Sequence, residues 1–97
     1  MTDIATKRVL VVEDDRKISD LLMNYLQAGG FEAEAAYDGR DALRMIRERP
    51  PDTVILDWML PGLDGIGVCK AVRAFSEVPI LMLTARIDEV DRLLGLD

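Results

Sequence analysis

Val54-Ile55-Leu56-Asp57-Trp58-Met59-Leu60-Pro61-Gly62 is an apolar run that ends on a carboxylate and breaks at a Pro-Gly turn. Successive apolar positions, without alternation, are the pattern of a parallel strand buried on both faces. Leaving even a neutral polar group dry and unpaired costs roughly 2–7 kcal/mol, and a charge costs more. Asp57 therefore belongs where the strand emerges, at the carboxyl edge of a sheet. In open α/β sheets that edge is where ligands bind. A strand-ending Asp also commonly does no more than cap the next turn, and this stretch alone leaves both readings open.

The bounds set by composition narrow the chemistry. The chain has 97 residues, enough for one small domain. With 49% hydrophobic and 31% charged residues it has the balance of a globular domain that keeps a core. The formal net charge of −6 argues against a general nucleic-acid surface, which needs clustered Lys and Arg. No apolar run reaches the length of a membrane span, and Met1 to Arg8 lacks the charged-then-apolar order of a secretory signal. The single cysteine, Cys69, builds neither an internal disulfide nor a thiolate metal site and is expected in the core. Together these features point to the cytoplasm, without membrane contact. The absence of His removes Ser-His and Cys-His catalysis and most zinc chemistry.

Working outward from the opening stretch, the chain alternates strand and helix four times. After a flexible lead over residues 1–7, Arg8 to Val12 is a compact strand that ends in Glu13-Asp14-Asp15. One of these acids suits a helix N-terminus; three exceed that need. Ile18, Leu21, Leu22, Tyr25 and Leu26 then recur at helical spacing, and Gly29-Gly30 stop the helix. Phe31 to Ala35 alternates with period two, which is an edge strand with one solvated side. Asp38-Gly39 caps a second helix over 40–48, with Ala42, Leu43 and Ile46 inward, and Pro50-Pro51 re-aims the chain into Thr53 to Asp57. A third helix near 65–75 has Ile66, Cys69 and Val72 inward. Ile80 to Leu83 is a fourth, continuously apolar strand, and a last helix carries Ile87, Val90, Leu93 and Leu94. Such alternation builds a parallel, doubly wound sheet with helices on both faces and right-handed crossovers. Apolar composition alone puts strands one, three and four inside and strand two at an edge.

Parallel strands deliver every polar outlier to one rim: Glu13 and Asp14 from strand one, Asp57 from strand three, Thr84 from strand four. Three carboxylates gathered there repel and raise one another's pKa. A hard divalent cation removes the conflict, since Mg²⁺ takes one or two carboxylates with waters and a phosphate oxygen. The backbone carbonyl of Met59 is placed to complete the sphere. A carboxylate beside Mg²⁺ can act as a nucleophile and become an aspartyl-phosphate, with Thr84 as hydroxyl donor to the phosphoryl group. Thr84 also reads as a helix N-cap, and the two roles are compatible.

Other motifs fail. Gly62 to Gly67 reads G-x-x-G-x-G, the wrong order for a dinucleotide fingerprint, and no P-loop sequence is present. A hydrolase using Asp-x-Asp needs an acid two residues past the nucleophile, where this chain has Met59. A metal-dependent phosphatase lacks a general base for water.

Val11-Val12-Glu13-Asp14-Asp15, Leu56-Asp57-Trp58-Met59-Leu60-Pro61-Gly62-Leu63-Asp64-Gly65 and Leu83-Thr84-Ala85-Arg86 resemble the receiver domain of bacterial two-component response regulators. Asp57 to Gly62 and the ending Asp91-Arg92-Leu93-Leu94-Gly95-Leu96 are similar to the OmpR/PhoB-type winged-helix subclass. The resemblance spans essentially the whole chain. It implies a flavodoxin-like α/β fold in which Asp57 accepts phosphate from a sensor histidine kinase. It also implies Mg²⁺ on Glu13, Asp14, Asp57 and the Met59 carbonyl, and a Thr84 that reports phosphorylation to the last helix. The implied protein is not an enzyme with an external substrate. It shows at most weak autophosphorylation from small donors and self-dephosphorylation.

The family pattern continues through a fifth strand bearing a Lys-Pro pair and a fifth helix. The expectation for this chain is therefore an incomplete single receiver domain over 1–97, strand order 2-1-3-4, without the fifth strand, the fifth helix or an effector domain. None of Lys7, Lys17 or Lys70 suits the family's lysine: Lys7 starts strand one at the far end, Lys70 lies within the third helix, and Lys17 is on the wrong element. DNA binding then belongs to an effector domain in a parent protein. A four-stranded arrangement makes Ile80–Leu83 an apolar edge that invites a second chain. The expected partners are thus a sensor histidine kinase and a second copy, through that edge or the last-helix face. The competing reading is an interaction or dimerisation module, exchanging strands or segments, that is never phosphorylated.

Overall fold

The computed structural model describes residues 6–60 and 63–83. Thr84 and the expected last helix with Ile87, Val90, Leu93 and Leu94 lie outside the described residues. Four strands and three helices alternate: β1 (Arg8–Val12), α1 (Arg16–Ala28), β2 (Glu32–Ala36), α2 (Gly39–Glu48), β3 (Thr53–Asp57), α3 (Gly65–Arg73) and β4 (Ile80–Leu83). All pairings are parallel, in the order β2-β1-β3-β4. This is the doubly wound α/β topology expected from the alternation.

Register aligns the strand ends. Val12 lies opposite both Ala36 and Leu56, and Asp57 lies opposite Leu83. The residues that follow β1, β2 and β3 therefore share one rim. Leu10, Val12, Val54 and Leu56 face Ala42, Ile46, Val68 and Val72 in one buried cluster under α2 and α3. Val9 and Val11, turned to the other face by the period-two pleat, are also buried, on the side where α1 packs over β1 and β2. Burial on both faces explains why β1 and β3 carry continuous apolar runs.

Each helix starts on an aspartate at the carboxyl rim. Asp15 Oδ1 accepts from the N–H groups of Lys17 (2.9 Å) and Ile18 (3.2 Å), Asp38 Oδ1 from Asp41 (2.8 Å), and Asp64 Oδ1 from Gly67 (2.7 Å). Each side chain satisfies donors that the helix itself leaves open. Gly29 and Gly30 end α1, and Gly30 has φ +91°, a conformation that side chains with a Cβ resist.

The far rim is tied by Arg8. Its guanidinium pairs with Glu34 of β2 and donates to the Pro50 carbonyl (3.0 Å), while its backbone N–H donates to Asp52 Oδ2 (2.8 Å). One side chain thus joins β1, β2 and the α2–β3 connection.

Three details differ from the expectations. β2 runs Glu32–Ala36, leaving Phe31 outside it, because its register is set by pairing with β1. In α3 the buried positions are Gly65, Val68 and Val72, with Cys69 half-buried and packed against the core as expected, whereas Ile66 is exposed. The helix has turned its small residues toward the sheet, because Gly65 sits against the end of β3. On α1, Leu21 and Tyr25 are 53% and 70% exposed, and Ser19 is the fully buried residue. β4 is the outermost described strand, as the expected order 2-1-3-4 requires although its apolar run alone reads as interior, and Leu81 is 55% exposed. A continuous apolar run identifies a strand without counting its neighbours.

Candidate functional site

The rim assembles its chemistry from consecutive strand ends. β1 runs out into Glu13 and Asp14, and the Glu13 N–H donates to the Ala36 carbonyl of β2 at 3.1 Å, extending the ladder by one rung. That rung holds Glu13 almost fully buried, at 4% exposure. Its Oε2 accepts the Asp15 N–H at 3.1 Å, so the side chain turns back over the start of α1. Asp15 serves as the α1 cap, while Asp14 is exposed. The three acids thus take three separate roles: buried rim carboxylate, open rim carboxylate and cap.

Asp57 is the last residue of β3 and is 7% exposed. The following residue, Trp58, donates its N–H to the Leu83 carbonyl at 3.0 Å, which fixes the strand exit against β4. Asp57 Oδ1 accepts the Met59 N–H at 3.2 Å, so Met59 is tied beside the carboxylate by its backbone while its side chain is exposed. The Gly65 N–H closes the loop by donating to the Trp58 carbonyl at 2.9 Å.

One carboxylate oxygen each from Glu13, Asp14 and Asp57 lie within 4.8 Å of one another. The cost of that gathering is visible at Glu13. Burial pushes its carboxyl up from 4.5 to about 8; hydrogen bonding and charge repulsion from Asp57, and a hydrogen bond with Asp14, act in the same direction against the lowering by the Asp15 N–H. Glu13 thus holds its proton more tightly than an ordinary glutamate wherever no cation offsets the neighbouring carboxylates. Three hard oxygen donors, two buried and one open to water, fit Mg²⁺, which keeps several waters and a phosphate oxygen in its sphere. Thr84, the fourth expected rim residue, lies outside the described residues.

Two residues that position the site escaped the sequence reading. A Cβ on Gly65 would lie 2.6 Å from the Asp57 carbonyl oxygen and 2.8 Å from Trp58 Cα. A Cβ on Gly39 would lie 2.7 Å from the Leu63 carbonyl oxygen. Gly65 lets the start of α3 press on the backbone of Asp57 and Trp58, and Gly39 lets the start of α2 press on Leu63 in the loop that leads into α3. Their only sequence signal is a position just after a capping Asp, which many glycines share.

Residues 9–97 match the family described as the response regulator receiver domain. The chain belongs to the receiver-domain family. Among curated proteins it is 46% identical over 95 residues to the transcriptional regulatory protein BaeR of Escherichia coli, covering 98% of this chain and 40% of BaeR. The chain therefore spans less than half the length of that relative. Among solved structures, the receiver domain of the Francisella response regulator 1452 is 33% identical with a TM-score of 0.80, covering 94% of this chain and 76% of that one. The BeF3-activated N-terminal receiver domain of Klebsiella pneumoniae RstA is 32% identical with a TM-score of 0.79, covering 92% and 76%. The receiver-domain assignment agrees with the four-stranded order and with the acidic cluster at the sheet's carboxyl rim. No helix among the described residues is long and apolar enough to cross a membrane.

Proposed function

We propose that this receiver domain is a phosphoacceptor switch in which Asp57 takes a phosphoryl group from the phosphohistidine of a sensor kinase. The observation that carries the reading is the convergence of Asp57 with Glu13 and Asp14, two strand ends brought within reach of one cation. Glu13, Asp14, Asp57 and the Met59 carbonyl would hold Mg²⁺. The chemistry supplied by bound Mg²⁺ is neutralisation of charge on the carboxylates and on the phosphoryl oxygens.

The chain's own residues do the rest. The Asp57 oxygen that does not accept the Met59 N–H attacks phosphorus. An O–P bond forms, the P–N bond to the histidine breaks, and the electron pair leaves on the imidazole nitrogen. Met59 N–H fixes the carboxylate orientation, which pre-organises the attack. Thr84 then donates to the phosphoryl oxygens and carries the change toward the last helix. The domain turns over no external substrate beyond slow loss of its own phosphate. In a parent protein of the BaeR type, the switch would set dimerisation and a DNA-binding output. The RstA relative, activated by BeF3, supports this reading because that fluoride complex mimics a phosphoryl group on a carboxylate.

The test is incubation with Mg²⁺ and a small phosphodonor followed by intact mass. The expected result is one added phosphate that disappears in Asp57→Asn and without metal. An unlabelled chain would favour the interaction-module reading, to which the exposed Leu81 and Met82 of the β4 edge contribute.

A further inference from the structure

The rim is strongly acidic, yet the reaction proposed above brings a phosphate anion to it. Glu13, Asp14, Asp15, Asp38, Asp57 and Asp64 all follow strand ends or cap helices there. A dianionic donor approaching that edge meets repulsion before it meets a nucleophile. Against this background the first turn of α1 is unusual. It carries Arg16 and Lys17 and no acid, although a helix N-terminus favours negative side chains by about 0.3–1 kcal/mol each. Two cations are kept where the helix itself disfavours them.

Arg16 is also held in place. Its guanidinium carbon lies 3.9 Å from the centroid of the Tyr37 ring. The ion pairs among the described residues are Arg8 with Glu34 and Arg44 with Asp41 and Glu48, so Arg16 is tied to no rim carboxylate there. Tyr37 directly follows Ala36, whose carbonyl accepts the Glu13 N–H. The stacked pair therefore stands at the β1–β2 end of the rim, and only β1 separates β2 from β3 and Asp57. A guanidinium stacked by its face keeps its in-plane N–H donors available at the edges.

We propose that Arg16, perched on Tyr37, is a specificity-determining residue that draws anionic phosphodonors to Asp57 and favours donors of higher negative charge. The strand that leads into Tyr37 and the strand that ends on Asp57 are two spacings apart, about 10 Å, comparable to the screening length at moderate salt, so the attraction acts fully only at low ionic strength. At about that range in water of low ionic strength, one positive charge raises the local concentration of a dianion by up to about fourfold and of a monoanion by up to about twofold. The effect acts on capture of the donor, not on bond making, so it lies in KM rather than kcat. This inference rests on Asp57 being the phosphoacceptor.

The experiment compares wild type, Arg16→Ala, Arg16→Gln and Tyr37→Leu with Mg²⁺ and two donors. These are acetyl phosphate, a dianion at neutral pH, and phosphoramidate, which carries one negative charge less. Labelling is followed by intact mass, with Asp57→Asn as the control for the acceptor. At low ionic strength, removing the Arg16 charge is expected to raise KM by up to about fourfold for acetyl phosphate and up to about twofold for phosphoramidate, with kcat unchanged and both effects erased by high salt. Tyr37→Leu keeps the charge but frees it, and should raise KM for acetyl phosphate by about twofold. Equal KM values in wild type and Arg16→Ala, or a shift that is the same for both donors and survives salt, overturn the proposal. Label that persists in Asp57→Asn, or no label in wild type, sinks the phosphoacceptor reading instead. In that event the Arg16 inference falls with the phosphoacceptor reading.

Discussion

Gly65 and Asp57 are in contact through bare backbone: a Cβ on Gly65 would sit 2.6 Å from the Asp57 carbonyl oxygen. The start of α3 is therefore seated on the same peptide that presents the Asp57 carboxylate. Because the neighbouring atoms are main chain, they cannot swing aside. Gly65→Ala is expected to destabilise the fold by about 1–3 kcal/mol and to slow labelling of Asp57 beyond what that loss explains. Urea denaturation and labelling rates of the folded protein check both parts. An unchanged midpoint would show that the close approach relaxes freely.

Glu13 makes a pH prediction whose sign follows from its raised carboxyl, about 8 against an ordinary 4.5. An acid that holds its proton more tightly when folded stabilises the fold below its unfolded value, and that contribution is lost as pH rises through the folded value. Without metal, stability should therefore fall as pH climbs from about 5 to above 8, and Glu13→Gln should flatten the slope. The difference between the two proteins at the alkaline end should be on the order of 1 kcal/mol or more. Mg²⁺ needs the deprotonated carboxylate, so the thermal upshift it produces should grow with pH in wild type. Melting curves with Mg²⁺ and with a chelator at the two ends of this range provide the measurement.

Arg8 offers the contrasting case of stability without function. It ties β1 to Glu34 and to the Pro50 carbonyl on the rim opposite the carboxylates, about 17 Å of strand away. Arg8→Met should cost about 1–2 kcal/mol and leave Mg²⁺ affinity and Asp57 labelling unchanged. Chemical denaturation paired with a Mg²⁺ titration separates the two effects.

The rotation of α3 can be read by a pair of substitutions. Val68 is fully buried and Ile66 is exposed, the reverse of their apparent weights in sequence. Val68→Ala should destabilise by about 1–3 kcal/mol, whereas Ile66→Ser should stay within about 0.5 kcal/mol. Equal costs would mean that the helix packs on the face its sequence suggests.

Much of this fold was legible because its signals are local. Arg8–Val12, Thr53–Asp57 and Ile80–Leu83 stand where the apolar runs place them. Ala42 and Ile46 are buried as their spacing requires, with Leu43 packed beside them. The candidate site was legible for a related reason. Polar residues that interrupt apolar strands can lie only at strand ends, and parallel strands share one end. What escaped was everything that depends on a partner distant in sequence. The exposure of Leu21 and Tyr25 and the turn of α3 toward Gly65 each depend on which element packs alongside, and periodicity carries no such information.

By itself, the order of residues determined the alternation of strand and helix, the parallel sheet and the collection of Glu13, Asp14 and Asp57 on one rim, because hydrophobic period and strand polarity leave little choice. Only the tertiary structure decided how those carboxylates divide their tasks. The Ala36 carbonyl holds Glu13 down into the rim, Asp15 is consumed as a helix cap, and the Met59 N–H aims Asp57. Those assignments arise from backbone donors and acceptors that meet only after the strands have paired. The run from Val54 to Gly62 announces a carboxylate at a strand end, and the packing of Gly65 and Glu13 around it fixes where that carboxylate stands.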